Sequence, residues 1–112
     1  MIKWEEVLKT HRSWRGVSVR GGKVVSLLCN QHKDGDYGDA IFPDRIEYVI
    51  PDGALKADRK ALEKMVGSDV PLHVFEKLGV NSWEPHGEWV VVRLARIDGA
   101  AVFELNRPAR AK

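Results

Sequence analysis

At 112 residues, 44% hydrophobic and 30% charged, the chain is long enough to bury a core without metal or disulfide staples, and too ordinary in composition for disorder throughout. A formal net charge of +2 is too small to diagnose a nucleic-acid binder by itself. One cysteine, Cys29, excludes an internal disulfide framework and fits a reducing compartment, and no apolar run reaches the length of a membrane span.

The N-terminal segment MIKWEEVLKT carries acids where a signal peptide needs an unbroken apolar stretch, so a cytoplasmic protein with no membrane partner is expected. Over residues 3–11, Trp4, Val7, Leu8 and His11 fall on one helical stripe. This predicts a short helix with His11 at its end, partly exposed and favoured there by the helix dipole. WRGVSVR-GG-KVVSLLCN (14–30) reads as a β-hairpin, because Gly21-Gly22 supplies the positive φ of a tight turn between β-branched runs. Cys29, in a strand-like run, is expected to be a buried thiol rather than a nucleophile.

KDGDYGDAIFPDRIEYVIPDG (33–53) follows, an acidic loop running into a strand at 45–50 that Pro51-Asp52-Gly53 terminates. Residues 55–66 predict a helix with Leu55, Leu62, Met65 and Val66 inward, and with Asp58, Lys60, Glu63 and Lys64 mostly outside. PLHVFEKL (71–78) is a strand with its proline at the first position, where the missing N–H costs least. EWVVVRLARI (88–97) is the longest strand candidate, and Asp98-Gly99 turns it into AAVFELN. Five to seven short strands with two helices give the α+β class, since parallel βαβ units would need more crossover helices. A small, strongly bent sheet or open barrel with helices closing its ends is the expected architecture. One domain over residues 1–106 is expected, with a basic C-terminal tail at 107–112.

Metal and catalytic patterns fit poorly. Asp34, Asp36 and Asp39 resemble the start of a calcium loop, but Gly38 and Asp39 stand in the reverse of the required order and Arg45 occupies the place of the bidentate glutamate. Cys29 and His32 form a single pair without the spaced second pair that zinc needs, so the histidines read as structural. No nucleophile elbow, phosphate loop or dinucleotide fingerprint is present. The chain therefore reads as a non-enzyme without a cofactor; an enzyme would require Asp39, Asp44 and Glu47 to converge.

Binding is the remaining class. Tyr37, Phe42, Tyr48, Trp83 and Trp89 cluster near loop ends, several beside carboxylates. An aromatic face can stack on a base while a carboxylate accepts hydrogen bonds from an exocyclic amine. Tyr48 and Trp89 could equally be core residues of their strands, and for Trp89 the core is favoured. The early Arg12, Arg15, Arg20 and Lys23, set apart from the acidic middle, permit a basic face.

The order of these features resembles a known family. The Asp-rich loop runs into a strand carrying Tyr48, then come a helix with "KALEKM", the strand "VPLHVFEK", a loop with "WEPHG" and the strand "EWVVVRL". Over roughly residues 28–94 this looks like the SRA (SET- and RING-associated, or YDG) domain, a PUA-like β-barrel that reads modified cytosine in DNA. Where that family has a small Ser-Gly-Gly before the loop, this chain has Leu28-Cys29-Asn30.

The resemblance implies a module that flips a nucleotide into an aromatic and aspartate pocket. Carried over by position, Tyr48 is the pocket tyrosine, Tyr37 supplies a second face, and Asp34 or Asp36 reads the base. Phosphate contacts are expected from Arg12, Arg15, Arg20, Lys23 and Lys33. DNA with a modified base, cytosine by this resemblance, is the expected partner. An RNA-binding PUA-like module and a protein-interaction or small-ligand domain are the alternatives.

Overall fold

The computed structural model describes residues 1–13, 15–30, 38–54 and 56–108. Its elements are α1 (Trp4–Val7), β1 (Val17–Arg20), β2 (Lys23–Cys29), β3 (Ala40–Ile41), β4 (Arg45–Pro51), α2 (Lys56–Glu63), β5 (Leu72–Gly79), β6 (Ser82–Ile97) and β7 (Ala100–Asn106). The strands form one sheet in the order β1-β2-β5-β6-β7-β4-β3. Only β2 and β5 run parallel, with Ser26 opposite His73 and Cys29 opposite Glu76; the other pairs are antiparallel. The α+β class is as expected. The barrel is not closed: β1 and β3 end the strand order, and these edges of four and two residues are too short to seal a seam.

The bend of the sheet comes from β6. Its first half pairs with β5, from Ser82 opposite Gly79 to Trp89 opposite Leu72. Its second half pairs with β7, from Val90 opposite Asn106 to Ile97 opposite Ala100. One 16-residue strand thus belongs to two half-sheets, β1-β2-β5 on one side and β7-β4-β3 on the other. The sequence reading began this strand at residue 88, because Pro85 and Gly87 look like loop punctuation. Instead Pro85 sits opposite Phe75 beside an irregularity in the register and Gly87 takes a φ of 76°. Both are tolerated where the ladder is already interrupted.

The β1–β2 hairpin forms as predicted. Gly21 and Gly22 have φ of 60° and 78°, the values a two-residue primed turn demands. The helices are shorter than their sequence stripes. α1 stops at Val7, and His11 is fully buried rather than half-exposed. Its Nδ1 lies 2.8 Å from Ser26 Oγ and its Nε2 2.7 Å from the Arg15 carbonyl; burial pushes its pKa below the ordinary histidine value. Two partners in a dry site outweigh the dipole of a one-turn helix.

Alternating strands put one face inward. In β7, Ala101, Phe103 and Leu105 meet Ile46, Tyr48 and Ile50 of β4 and Leu27, Leu72, Val74, Trp89 and Val91 of the other strands, with Leu62 and Met65 from α2 and its exit closing the layer. Trp89 is core, as favoured, and Cys29 is buried in the same layer. Val7, Phe75 and Trp83 form a smaller cluster under α1. Among the described residues no helix is long and apolar enough to cross a membrane.

Candidate nucleic-acid interface

Tyr48 sits mid-β4 opposite Phe103 and is 3% exposed. Its hydroxyl reaches across to the half-sheet carrying β1 and β2 and lies against Gly16, where any Cβ would collide with it. Leu28 N–H bonds the Gly16 carbonyl at 2.8 Å, which fixes that approach. Burial raises the Tyr48 pKa well above the ordinary phenol value, helped by the nearby charges of Asp39, Cys29 and Asp58. The phenol is therefore neutral at physiological pH.

A cavity of about 210 Å³ opens beside this ring, lined by Gly16, Val17, Leu28, Tyr48, Pro51 and Asp58 among others. Gly16, Val17 and Leu28 belong to one half-sheet and Tyr48 and Pro51 to the other, so the cavity occupies the seam between them. It is smaller than the range of roughly 300–1,000 Å³ typical of drug-sized ligand sites.

Two carboxylates flank the ring, and sequence reasoning had assigned neither to the site. Asp39, 3% exposed, accepts the Asn30 N–H at Oδ2 and the Val49 N–H at Oδ1, both at 2.9 Å, and its own N–H donates to the Asn30 carbonyl at 3.2 Å. It ties the end of β2 to β4 directly behind Tyr48. Asp58, expected on the outer face of its helix, is buried and held by Arg15. The Arg15 Nε lies 3.1 and 3.2 Å from its two oxygens, and an Nη lies 3.1 Å from Oδ1. A charged side chain turns inward when a guanidinium fork can satisfy both carboxylate oxygens. Spacing alone could not single out Asp39 in an acidic run; its burial and its two backbone donors become visible only in the fold.

Asp34, Asp36, Tyr37 and Lys33 lie outside the described residues. The expected phosphate contacts are dispersed. Arg15 is engaged by Asp58 at the cavity, whereas exposed Arg12 sends its backbone N–H to Ser18 Oγ at 3.2 Å. Arg20 and Lys23 stand opposite each other beside the Gly-Gly turn. Arg107, first residue of the expected tail, stacks 4.0 Å over Trp89 and donates to the His86 and Glu88 carbonyls at 2.6 and 3.2 Å. Phe42 is exposed, with Arg45 4.6 Å over its ring.

Asp39, Asp44 and Glu47 do not converge into a metal-capable group among the described residues. The group that does is Glu76, Glu84 and His86, with ligand atoms within 4.8 Å of one another. Glu76 and Glu84 face each other across β5 and β6, with His86 Nε2 2.8 Å from the first and 3.9 Å from the second. An imidazole bridging opposed carboxylates is a sufficient structural role for the trio.

No family model matches the chain, and no curated protein matches it by sequence. Solved structures do. The chain is similar to the SRA domain of SUVH5 in a complex with fully methylated CG DNA, at a TM-score of 0.73 and 18% identity, covering 100% of this chain and 88% of that one. It is also similar to Arabidopsis thaliana SUVH6 in complex with SAM, at a TM-score of 0.72 and 16% identity, over 99% of this chain and 26% of that one. The chain thus has an SRA-like fold, and spans about a quarter of the SUVH6 chain.

Proposed function

We propose that this chain is a non-catalytic module that binds duplex DNA carrying a modified base, and that it takes the flipped base into the seam beside Tyr48. The observation that carries this reading is the cavity itself, ring-lined, bordered by a carboxylate and placed between the half-sheets of an SRA-like fold. The printed partner of the SUVH5 SRA domain, fully methylated CG DNA, suggests 5-methylcytosine as the first modification to try. Tyr48 supplies a neutral aromatic wall. Asp58, whose carboxylate lines the cavity, is the acid placed to accept from an exocyclic amine. Asp39 braces the strand behind the ring through its two backbone donors, and Asp34 and Asp36 are the other candidates in the loop. Extruding a base costs roughly a few kcal/mol, which cavity filling and phosphate contacts must offset.

Fluorescence anisotropy with matched duplexes that contain or lack 5-methylcytosine tests this. Tighter binding to the modified duplex, lost when the cavity is occupied by a larger side chain at its exposed rim in Ala54→Leu, is expected. Equal, weak and salt-sensitive binding to both overturns base reading, and preference for a matched RNA strand would replace DNA by RNA as the partner.

A further inference from the structure

A second site lies at the turn end of the β1–β2 hairpin. There a groove of about 390 Å³ is lined by Lys9, Arg20, Lys23 and His73, together with Thr10 and apolar residues, and no carboxylate lines it. The Gly21-Gly22 turn sets Arg20 and Lys23 directly opposite each other on paired strands. Like charges in that relation lower stability.

Among the described residues five other arginines meet carboxylates, while Arg12 and Arg107 do not. Arg15 bonds Asp58, Arg45 Glu47, Arg59 and Arg96 Asp52, and Arg93 Glu104. Arg20, Lys23 and His73, by contrast, form no ion pair or side-chain hydrogen bond among the described residues. Lys9 pairs with the exposed carboxylate of Glu6 at 3.1 Å, a contact that water screens. An uncompensated cation pair, built by a turn that only glycines supply easily and continued by two more nitrogen side chains, is a site for an extended anion.

We propose that this groove holds the sugar-phosphate backbone of the DNA whose base enters the Tyr48 seam, an inference that rests on the function proposed above. Val17 lines the cavity and Arg20 closes the same strand three residues on, roughly 10 Å away at about 3.3 Å per residue. That is close to the rise of about three base steps along one strand, within the reach of one duplex.

The test is an anisotropy titration from 50 to 200 mM salt of the wild type, the double variant Arg20→Gln/Lys23→Gln, and Lys77→Gln at the far end of β5, each on modified and unmodified duplexes. Each lost phosphate contact makes the slope of log K against log salt shallower by about 0.9, so the double variant should lose about 1.8. Referred to 1 M salt, that is about 60-fold in affinity at 0.1 M, equal on both duplexes, with the preference for the modified one intact. Lys77→Gln should match the wild type, and the double variant should melt no lower than it, since the opposed charges are gone. An unchanged slope, or an equal change in Lys77→Gln, overturns the groove while a retained preference keeps the base reading. A wild type that binds both duplexes equally overturns the base reading, yet the slope still judges the groove. No DNA binding at all overturns both.

Discussion

Substituting Gly16 by alanine adds one methyl group at the closest approach of the two half-sheets, and the structure sets the size of the effect. The new Cβ collides with the Tyr48 hydroxyl, which ends a ring that is 3% exposed and locked in the core layer. The ring cannot swing aside as a surface lysine would. Overpacking of this kind costs about 1–3 kcal/mol, or roughly 4–12 °C in Tm for a domain of this size. No positive φ at Gly16 adds backbone strain, so the clash accounts for the whole cost. Tyr48→Phe removes the struck oxygen. In that background Gly16→Ala should cost at least about 1 kcal/mol less, a coupling that urea or thermal denaturation of the four proteins of the double-mutant cycle resolves. Additive losses, with the same penalty for Gly16→Ala whether residue 48 is tyrosine or phenylalanine, would refute the close approach and the seam built on it.

Three further outcomes follow from single groups. The His11 pKa is lowered by burial, so the fold binds fewer protons there than the unfolded chain does. The associated stability is complete above about pH 6.5 and is lost as pH falls below it; a Tm–pH series should show that slope in the wild type and not in His11→Gln. Tyr48, with its pKa raised, should remain a phenol in the native protein well above pH 10. The fold then holds a proton that the unfolded chain releases, so stability falls as pH rises past about 10, and ultraviolet titration should lose its late step in Tyr48→Phe. Arg107→Ala removes a cation–π stack on Trp89 and two bonds to carbonyls. It should cost about 1–2 kcal/mol in denaturant melts and shift the tryptophan emission.

Much of the strand framework was legible because its signals are local. The Gly-Gly turn, the alternation of RIEYVI and the Asp98-Gly99 turn each act within a few residues, and the chain forms strands where they point. Features that depend on distant partners were not legible. Pro85 and Gly87 read as a loop because nothing nearby in sequence announces β5 as the strand that accommodates them. Asp58 read as a surface charge because Arg15, the group that lets it turn inward, lies far back in the chain. His11 read as a helix end because its partners come from β2 and the loop before β1. At the candidate site, Tyr48 was singled out through the ordered features that resemble the SRA family, and its ring lines the cavity. Asp39 was passed over because one acid among several in a polar run carries no mark of burial. Which strands form the open edge was also hidden, since local patterning does not give the strand order.

The two half-sheets share β6, and the cavity lies across the division they make, with Tyr48 on one side and Gly16 and Leu28 on the other. A strand hydrogen-bonded to different partners along its two halves can change curvature at the changeover between Trp89 and Val90 without giving up either ladder. The width of the cleft is then governed from a point remote from its lining, by how sharply β6 turns. The bulge around Pro85 and Gly87 and the Arg107 clamp on Trp89 become the stiffness control of that spring. Substitutions along β6 that do not line the cleft would then change its width.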